Sequence, residues 1–259
     1  AYESAPIAAI YWFARTADDI ADEGDADASQ RLAELASFRA DLMAIGQHQA
    51  HSGRWPQVFD PLAAMLVRFR IPIALLADLL AAFEQDIAYT AQCRRYQTDT
   101  ELLDYCSRSA NPVGRLLLHL YGVDDAAALA QSDCICSALQ LINFWQDLSV
   151  DAPRGRHYVP LADLQALRVS AAELAAATDS LRARDLVRGL CDWAEALMLQ
   201  GAPLATRMPG RSGWELRLVV QGGLRILDKI AAMNFNTLRQ RPKLGARDVA
   251  VMGWRVLWM

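Results

Sequence analysis

The sequence predicts an all-α protein, and three observations lead there. Apolar residues recur at helical spacing along almost the whole chain, strand-like alternation is nearly absent, and glycine and proline gather at the junctions between periodic segments. The 259 residues are 53% hydrophobic and 22% charged, with no repeat, low-complexity linker or shift in composition, so one helical domain over 1–259 is expected.

The elements follow in order. Residues 5–23 read as a first helix closed by Gly24-Asp25, and residues 27–46 as an amphipathic helix carrying Leu32, Leu35, Phe38, Leu42 and Ile45 and ending at Gly46. A polar loop around His48, His51, Gly53 and Pro56 leads to helices at 57–70 and 72–91, separated at Pro72. Thr98-x-x-Glu101 has the form of a capping box, starting a helix near Asp99 that Asn111-Pro112 interrupts before Leu116–Leu120 resume it. His119 in that stretch reads as a satisfied core histidine. A central helix starts near Asp125 and is stopped by Pro153. After Pro160 a loop leads to a second capping box, Ser170-x-x-Glu173, with helices over 170–178 and 180–200. Arg207–Gly213 reads as a basic, glycine-rich turn, and 213–239 as one long helix with Gly222-Gly223 at its middle. Glycine costs about 1 kcal/mol relative to alanine there, so close packing or room for a ligand is expected. The tail, with Trp254, Leu257, Trp258 and Met259, is apolar enough to pack on the domain or to touch a membrane, and packing is the expectation.

Two stretches carry chemistry. In LQLINFWQDLSVDAPRGRHYVP, Asn143, Asp147 and Asp151 fall at successive i, i+4 steps and share one helix face, while apolar residues cover most of the remaining circumference. Carboxylates held in an apolar setting repel one another and are costly to desolvate unless a positive charge sits between them. A hard divalent cation such as magnesium answers that need, because it takes oxygen ligands and commonly binds through one or two carboxylates plus phosphate. Arg154 and Arg156 place cations just downstream. The first helix repeats the pattern: Asp18 and Asp22 lie at i, i+4, with Arg15 one turn before them. A solvated acidic face explains either pair alone. Both together read as two walls of one cation-lined pocket.

Composition excludes several classes. A formal net charge of −4 argues against a general nucleic-acid binder, no apolar run reaches the ~18 residues of a membrane span, and no secretory leader opens the chain. The five cysteines, Cys93, Cys106, Cys134, Cys136 and Cys191, form no CxxC pair and read as reduced, mostly core residues of a cytoplasmic protein. Nucleotide fingerprints of the Rossmann and P-loop types are absent, so no nicotinamide is expected.

ARTADDIADEGD, RSANPVGRLLLHLYG, NFWQDLSVDAPRGRHYVP and ELRLVVQGGLRILDKI occur in the order found in the squalene/phytoene synthase family, and this resemblance spans essentially the whole chain. It implies the all-α isoprenoid (terpenoid) synthase fold with a central cavity, and three magnesium ions at the cavity mouth. The family's metal ligands carry over onto Asp18, Asp22, Asn143, Asp147 and Asp151, and its diphosphate-binding arginines onto Arg15 and Arg156. Asp18, Asp22, Asp147 and Asp151 are then the catalytic carboxylates, and Phe144, Trp145, Gln146 and Leu117 line the substrate cavity. The partner implied is a prenyl diphosphate, with a transient contact at the inner-membrane surface compatible with a water-insoluble product.

The departures from the family pattern carry information too. The second motif of the family commonly reads N-x-x-R-D, whereas Gln146 stands at the arginine here. Arg108 replaces a tyrosine, Ala110-Asn111 an Ala-Gly pair, and Gly223 a pocket tyrosine. One cationic hold fewer favours a substrate with a single diphosphate, and the closest likeness within the family is to its hydroxysqualene-forming members. Head-to-head condensation of two prenyl diphosphates, reductive squalene formation, a terpene cyclase and a non-catalytic helical binding module are the alternatives. The opening AYES abuts APIAAIY with most of a first helix missing, so the sequence reads either as truncated or, the expectation here, as two pieces joined near residues 4–5.

Overall fold

The computed structural model describes residues 4–257 and Met259. Among these residues it contains fourteen α-helices, one 3₁₀ turn and no strand. The chain packs as two compact units, one formed by residues up to Gln92 with Ser107–Asp125, the other by Cys93–Cys106 with Ala126–Met259.

The first unit holds α1 (Ser4–Asp22), α2 (Ala28–Gly46), α3 (Pro56–Phe69) and α4 (Ile73–Ala91). Helix α5 (Asp99–Ser109) begins in the second unit's chain segment, and α6 (Asn111–Leu120) belongs to the first. The reading of an incomplete helix near residues 4–5 falls at the margin of the described residues, where α1 begins. Its Ala9, Ile10, Phe13, Ala17 and Ala21 recur at helical spacing and are all buried, which fixes the opposite face of α1 outward. Phe13 meets Phe38 of α2 at 5.2 Å between ring centroids, and Phe38 meets Phe59 of α3 at 4.7 Å. Burying each such ring contributes roughly 2–3 kcal/mol.

Polar ties finish the unit. Arg39 grips Glu84 of α4 with two hydrogen bonds of 2.9 and 3.0 Å, and buried Asp41 accepts from both the amide and the hydroxyl of Ser52 at 2.7 Å. His51 pairs with Asp60 at 2.8 Å and accepts from the Gly53 amide, so it is a loop fastener. His119 is bonded to the Phe69 carbonyl at 2.8 Å, a satisfied histidine as expected. Gly46, the last residue of α2, lies against the tip of Ile73: a Cβ there would be 2.3 Å from Ile73 Cδ1, so that side chain would have to move.

In the second unit α7 (Ala126–Gln146) packs along α11 (Leu181–Gly201), the most extensive helix pairing in the chain. Small residues permit it. A Cβ on Gly201 would sit 2.5 Å from the Gln131 carbonyl oxygen of α7. Between them run α8 (Leu148–Asp151), the 3₁₀ turn Ala152–Arg154, α9 (Leu161–Ala166) and α10 (Ala171–Ala175). The Ser170–Glu173 capping box forms in full, but α10 is shorter than the expected 170–178, and the loop expected after Pro160 contains α9.

Helices α12 (Pro203–Arg207), α13 (Gly210–Ala232) and α14 (Ala246–Val256) complete the chain. The basic turn expected at Arg207–Gly213 shrinks to Met208-Pro209. Helix α13 stops at Ala232 rather than 239 because Asn234 and Phe235 turn left-handed, at φ 53° and 58°. Gly223 reports close packing: a Cβ would meet Met198 at 2.7 Å and Ile142 and Leu139 at 3.2 Å. The tail packs only in part: Met259 is half-buried, and its Sδ accepts from Gln221 Nε2 at 3.7 Å. Val256 is buried, but Trp254 and Leu257 are exposed; Trp258 lies outside the described residues.

Candidate active site

The first acidic motif occupies the outward face of α1. Arg15 lies among three carboxylates, 3.3 Å from Asp18, 2.7 Å from Asp19 and 3.0 Å from Glu23, while Asp22 is exposed one turn beyond Asp18. All the side chains bonded to Arg15 keep a large share of their surface in water, so each pair is worth less than about 1 kcal/mol. Such pairs are readily exchanged for a stronger cation or a phosphate.

The second motif lies at a break. Helix α7 ends at Gln146, and Asp147 leaves helical geometry at φ −102°, ψ 11° before α8 starts. The continuous helix expected through Asp151 is therefore interrupted, yet its register survives. The Asp147 amide bonds the Asn143 carbonyl at 3.0 Å and the Asp151 amide bonds the Asp147 carbonyl at 2.9 Å. The i, i+4 steps thus persist through the break. The Ser149 amide turns elsewhere, to the carbonyl of buried Thr237 at 3.2 Å.

A residue that the spacing argument missed completes this motif. Arg241 Nε faces Oδ1 of Asp147, an oxygen shut off from solvent. Next to it, Gln146 Nε2 donates to the Pro242 carbonyl at 2.7 Å. The segment Thr237–Pro242 is thereby fastened to Gln146, Asp147 and Ser149 at once. Asp151 lies 4.0 Å from Arg156, whose amide bonds the Asp151 carbonyl at 3.1 Å, and Asn143 is exposed.

Aromatic rings lie behind the motif. Phe144 stacks on Tyr158 at 3.7 Å and 10°, and Tyr105 stands 6.2 Å from both. Trp145 is fully buried beside Trp193, and its indole N–H has no acceptor. Leu117, on α6 in the first unit, is half-buried.

A separate cavity of about 100 Å³ is lined by Asp99, Asp163, Leu167, Leu190 and Trp193 and includes neither acidic motif. Burial first, then the Asp99 charge, then a hydrogen bond with Asp99 push the Asp163 carboxyl up to about 6. Cys191 is inert by the same physics: burial, with Asp192 and Glu195 nearby, pushes its thiol up to about 12. Cys93 is exposed and only Cys106 and Cys191 are fully buried, so fewer cysteines are core residues than expected.

Among the described residues no three Asp, Glu, His or Cys side chains converge as a ready-made metal cage. The donor set at the second motif nonetheless fits a hard cation. It offers two carboxylates and an amide oxygen at i, i+4 steps of sequence, and the Asp147 oxygen shut off from solvent already draws a cation, Arg241.

A family profile described as squalene/phytoene synthase matches residues 3–248. The chain belongs to that family. Among its relatives, the hydroxysqualene synthase of Sinorhizobium fredii is 34% identical over 95% of this chain and 80% of that protein. The presqualene diphosphate synthase of Rhodopseudomonas palustris is 29% identical over 94% of this chain and 84% of its own. In structure, the squalene synthase HpnC of Alicyclobacillus acidocaldarius matches with a TM-score of 0.79 and 31% identity, covering 88% of this chain and 82% of that one. The fold is the isoprenoid synthase fold of the squalene/phytoene synthases.

Proposed function

We propose that this squalene/phytoene synthase family member converts presqualene diphosphate and water into hydroxysqualene and diphosphate. The observation that carries the choice of reaction is Gln146, a neutral side chain at the place of an arginine, with its amide nitrogen spent on the Pro242 carbonyl. The similarity to a relative named hydroxysqualene synthase over 95% of the chain supports the same reading.

Asp147, Asp151 and Asn143 in one motif, and Asp18 and Asp22 in the other, would hold magnesium. When bound, the metal neutralises the diphosphate and makes it a better leaving group. Arg15 and Arg156 add hydrogen bonds to the departing oxygens; the ion pairs that Arg15 gives up are exposed and weak, whereas Arg156 sits in a more enclosed place, 4.0 Å from Asp151. The carbon–oxygen bond breaks with its electron pair going to diphosphate. The cyclopropylcarbinyl cation so formed rearranges with opening of the ring, water adds to it, and a proton is released. No hydride enters the balance. The stacked pair Phe144 and Tyr158, with Tyr105 beside it, would supply electron density near such a cation.

The test is a product assay with purified protein, magnesium and presqualene diphosphate in the absence of nicotinamide, where hydroxysqualene and diphosphate are expected. Conversion of farnesyl diphosphate to presqualene diphosphate instead would move the chain to the condensing branch. Arg241 favours that second reading, because it restores a guanidinium beside Asp147. Asp147→Ala should cut turnover by about a thousandfold with an unchanged circular dichroism spectrum. Near-wild-type turnover would remove Asp147 from the mechanism.

A further inference from the structure

Helix α14 turns Asp248 and Arg255 inward beside Met252 and Val256. Asp248 is buried and accepts from Lys229 at 2.7 Å, from the Gly245 amide at 2.7 Å and from Arg225 at 2.7 Å, and these donors hold its carboxyl well below the usual carboxylate range. Arg255, on the same side, pairs with Asp228 of α13 at 2.8 Å. A surface helix normally turns its apolar stripe to the core and its charges to water. Here the outward arc is Ala246, Ala250, Gly253 and Leu257 at i, i+4, i+7 and i+11, flanked by Val249 and Trp254, with Arg247 its one charged residue. Val249 is 64% exposed, and Trp254 and Leu257 are each 62% exposed.

The charge beside this arc has one sign. From Arg239 to Arg247 the chain reads RQRPKLGAR, four cations without an acid, in a protein whose net charge is −4. Arg241 is engaged with Asp147 and Arg239 with the Ala177 carbonyl, while Lys243 and Arg247 are exposed next to exposed Leu244. Apolar residues with a tryptophan, bordered by lysine and arginine, match the boundary between acyl chains and anionic headgroups. A second copy of the chain would instead bring another set of the same cations to the face.

We infer that the outer arc of α14, with Lys243 and Arg247, docks this protein on an anionic lipid surface. The face lies wholly within the second unit and does not depend on which reaction the family member performs.

Vesicle co-sedimentation tests it. The full chain should bind vesicles of phosphatidylglycerol and phosphatidylcholine more tightly than vesicles of phosphatidylcholine alone, and the preference should shrink as salt rises. Lys243→Ala with Arg247→Ala should weaken anionic binding by roughly fivefold per cation removed. Trp254→Ser with Leu257→Ser should weaken binding to both vesicle types by at least about tenfold. Both double variants replace exposed side chains, so their thermal midpoints should match the wild type. Wild-type binding by folded double variants, or no vesicle binding by the wild type, would overturn the assignment. A wild-type dimer in sedimentation equilibrium that Trp254→Ser with Leu257→Ser abolishes would give the face to a second copy and overturn it too.

Discussion

Asp147 and Arg241 form the contact on which the second motif is balanced. The carboxylate oxygen is shut off from water, and the guanidinium that answers it is 39% exposed, so the pair is worth about 1 kcal/mol after solvent screening. Arg241→Ala should lower stability by that amount in metal-free buffer, and magnesium should stabilise the variant more than the wild type, because the competing cation is gone. Thermal melts of both proteins with and without magnesium check this; identical melts in all four would show that the pair does nothing. Asp163 offers a second test at this scale. Its folded-state carboxyl titrates at about 6, above its unfolded value, so the native protein holds this proton more tightly. The stability it contributes is full below about pH 4 and is lost as pH rises through 6. Asp163→Asn should therefore stabilise the protein by about 1 kcal/mol at pH 7.5, after allowance for partial exposure, and change little at pH 4. A variant that melts below the wild type at pH 7.5 would contradict the assignment.

At the scale of elements, two glycines of α11 separate packing from propensity. Gly201 meets the backbone of α7, with its missing Cβ 2.5 Å from the Gln131 oxygen and 2.9 Å from the Ile135 nitrogen, whereas nothing lies within 4 Å of a Cβ on Gly189. Gly201→Ala should cost about 1–3 kcal/mol by forcing the helices apart, and Gly189→Ala should gain up to about 1 kcal/mol from helix propensity. Chemical denaturation of the pair checks both signs. Helix starts were legible where a side chain caps the backbone: Ser170 and Glu173 close their box, and Glu101 bonds back to the Gln97 amide at 2.6 Å beside Thr98. Ends were less so. Between Ala232 and Pro242 the one signal is Asn234, which after glycine takes the left-handed turn of a helix end most readily; apolar spacing that runs on past it masks the stop, and Phe235 gives no signal. Helix α14 escaped because Val249, Trp254 and Leu257 point outward although Val256 is buried, a split that the usual inward rule reads as a packed tail.

Over the whole chain, the fold class and the family were legible because helical periodicity and the ordered motifs extend through nearly every segment. The acidic residues of the candidate site were legible as spacing, and the backbone bonds from Asn143 to Asp147 to Asp151 keep that spacing through the break. Arg241 and Pro242 were not. They reach Asp147 and Gln146 from a distant part of the sequence, and no local period records such a contact.

The bond from Ser149 to Thr237 gives this distant contact a readable rate. The Ser149 amide proton can exchange with solvent only when the C-terminal segment lifts, whereas that of Asp151 is guarded by the local bond to Asp147. In Gln146→Ala, which removes the clamp on Pro242, deuterium should enter at Ser149 faster than in the wild type while Asp151 keeps its protection. One amide inside the acidic motif thus acts as a clock for the opening of a segment nearly a hundred residues away in sequence. Equal exchange at Ser149 in the two proteins would mean that Thr237 holds the motif without help from Gln146.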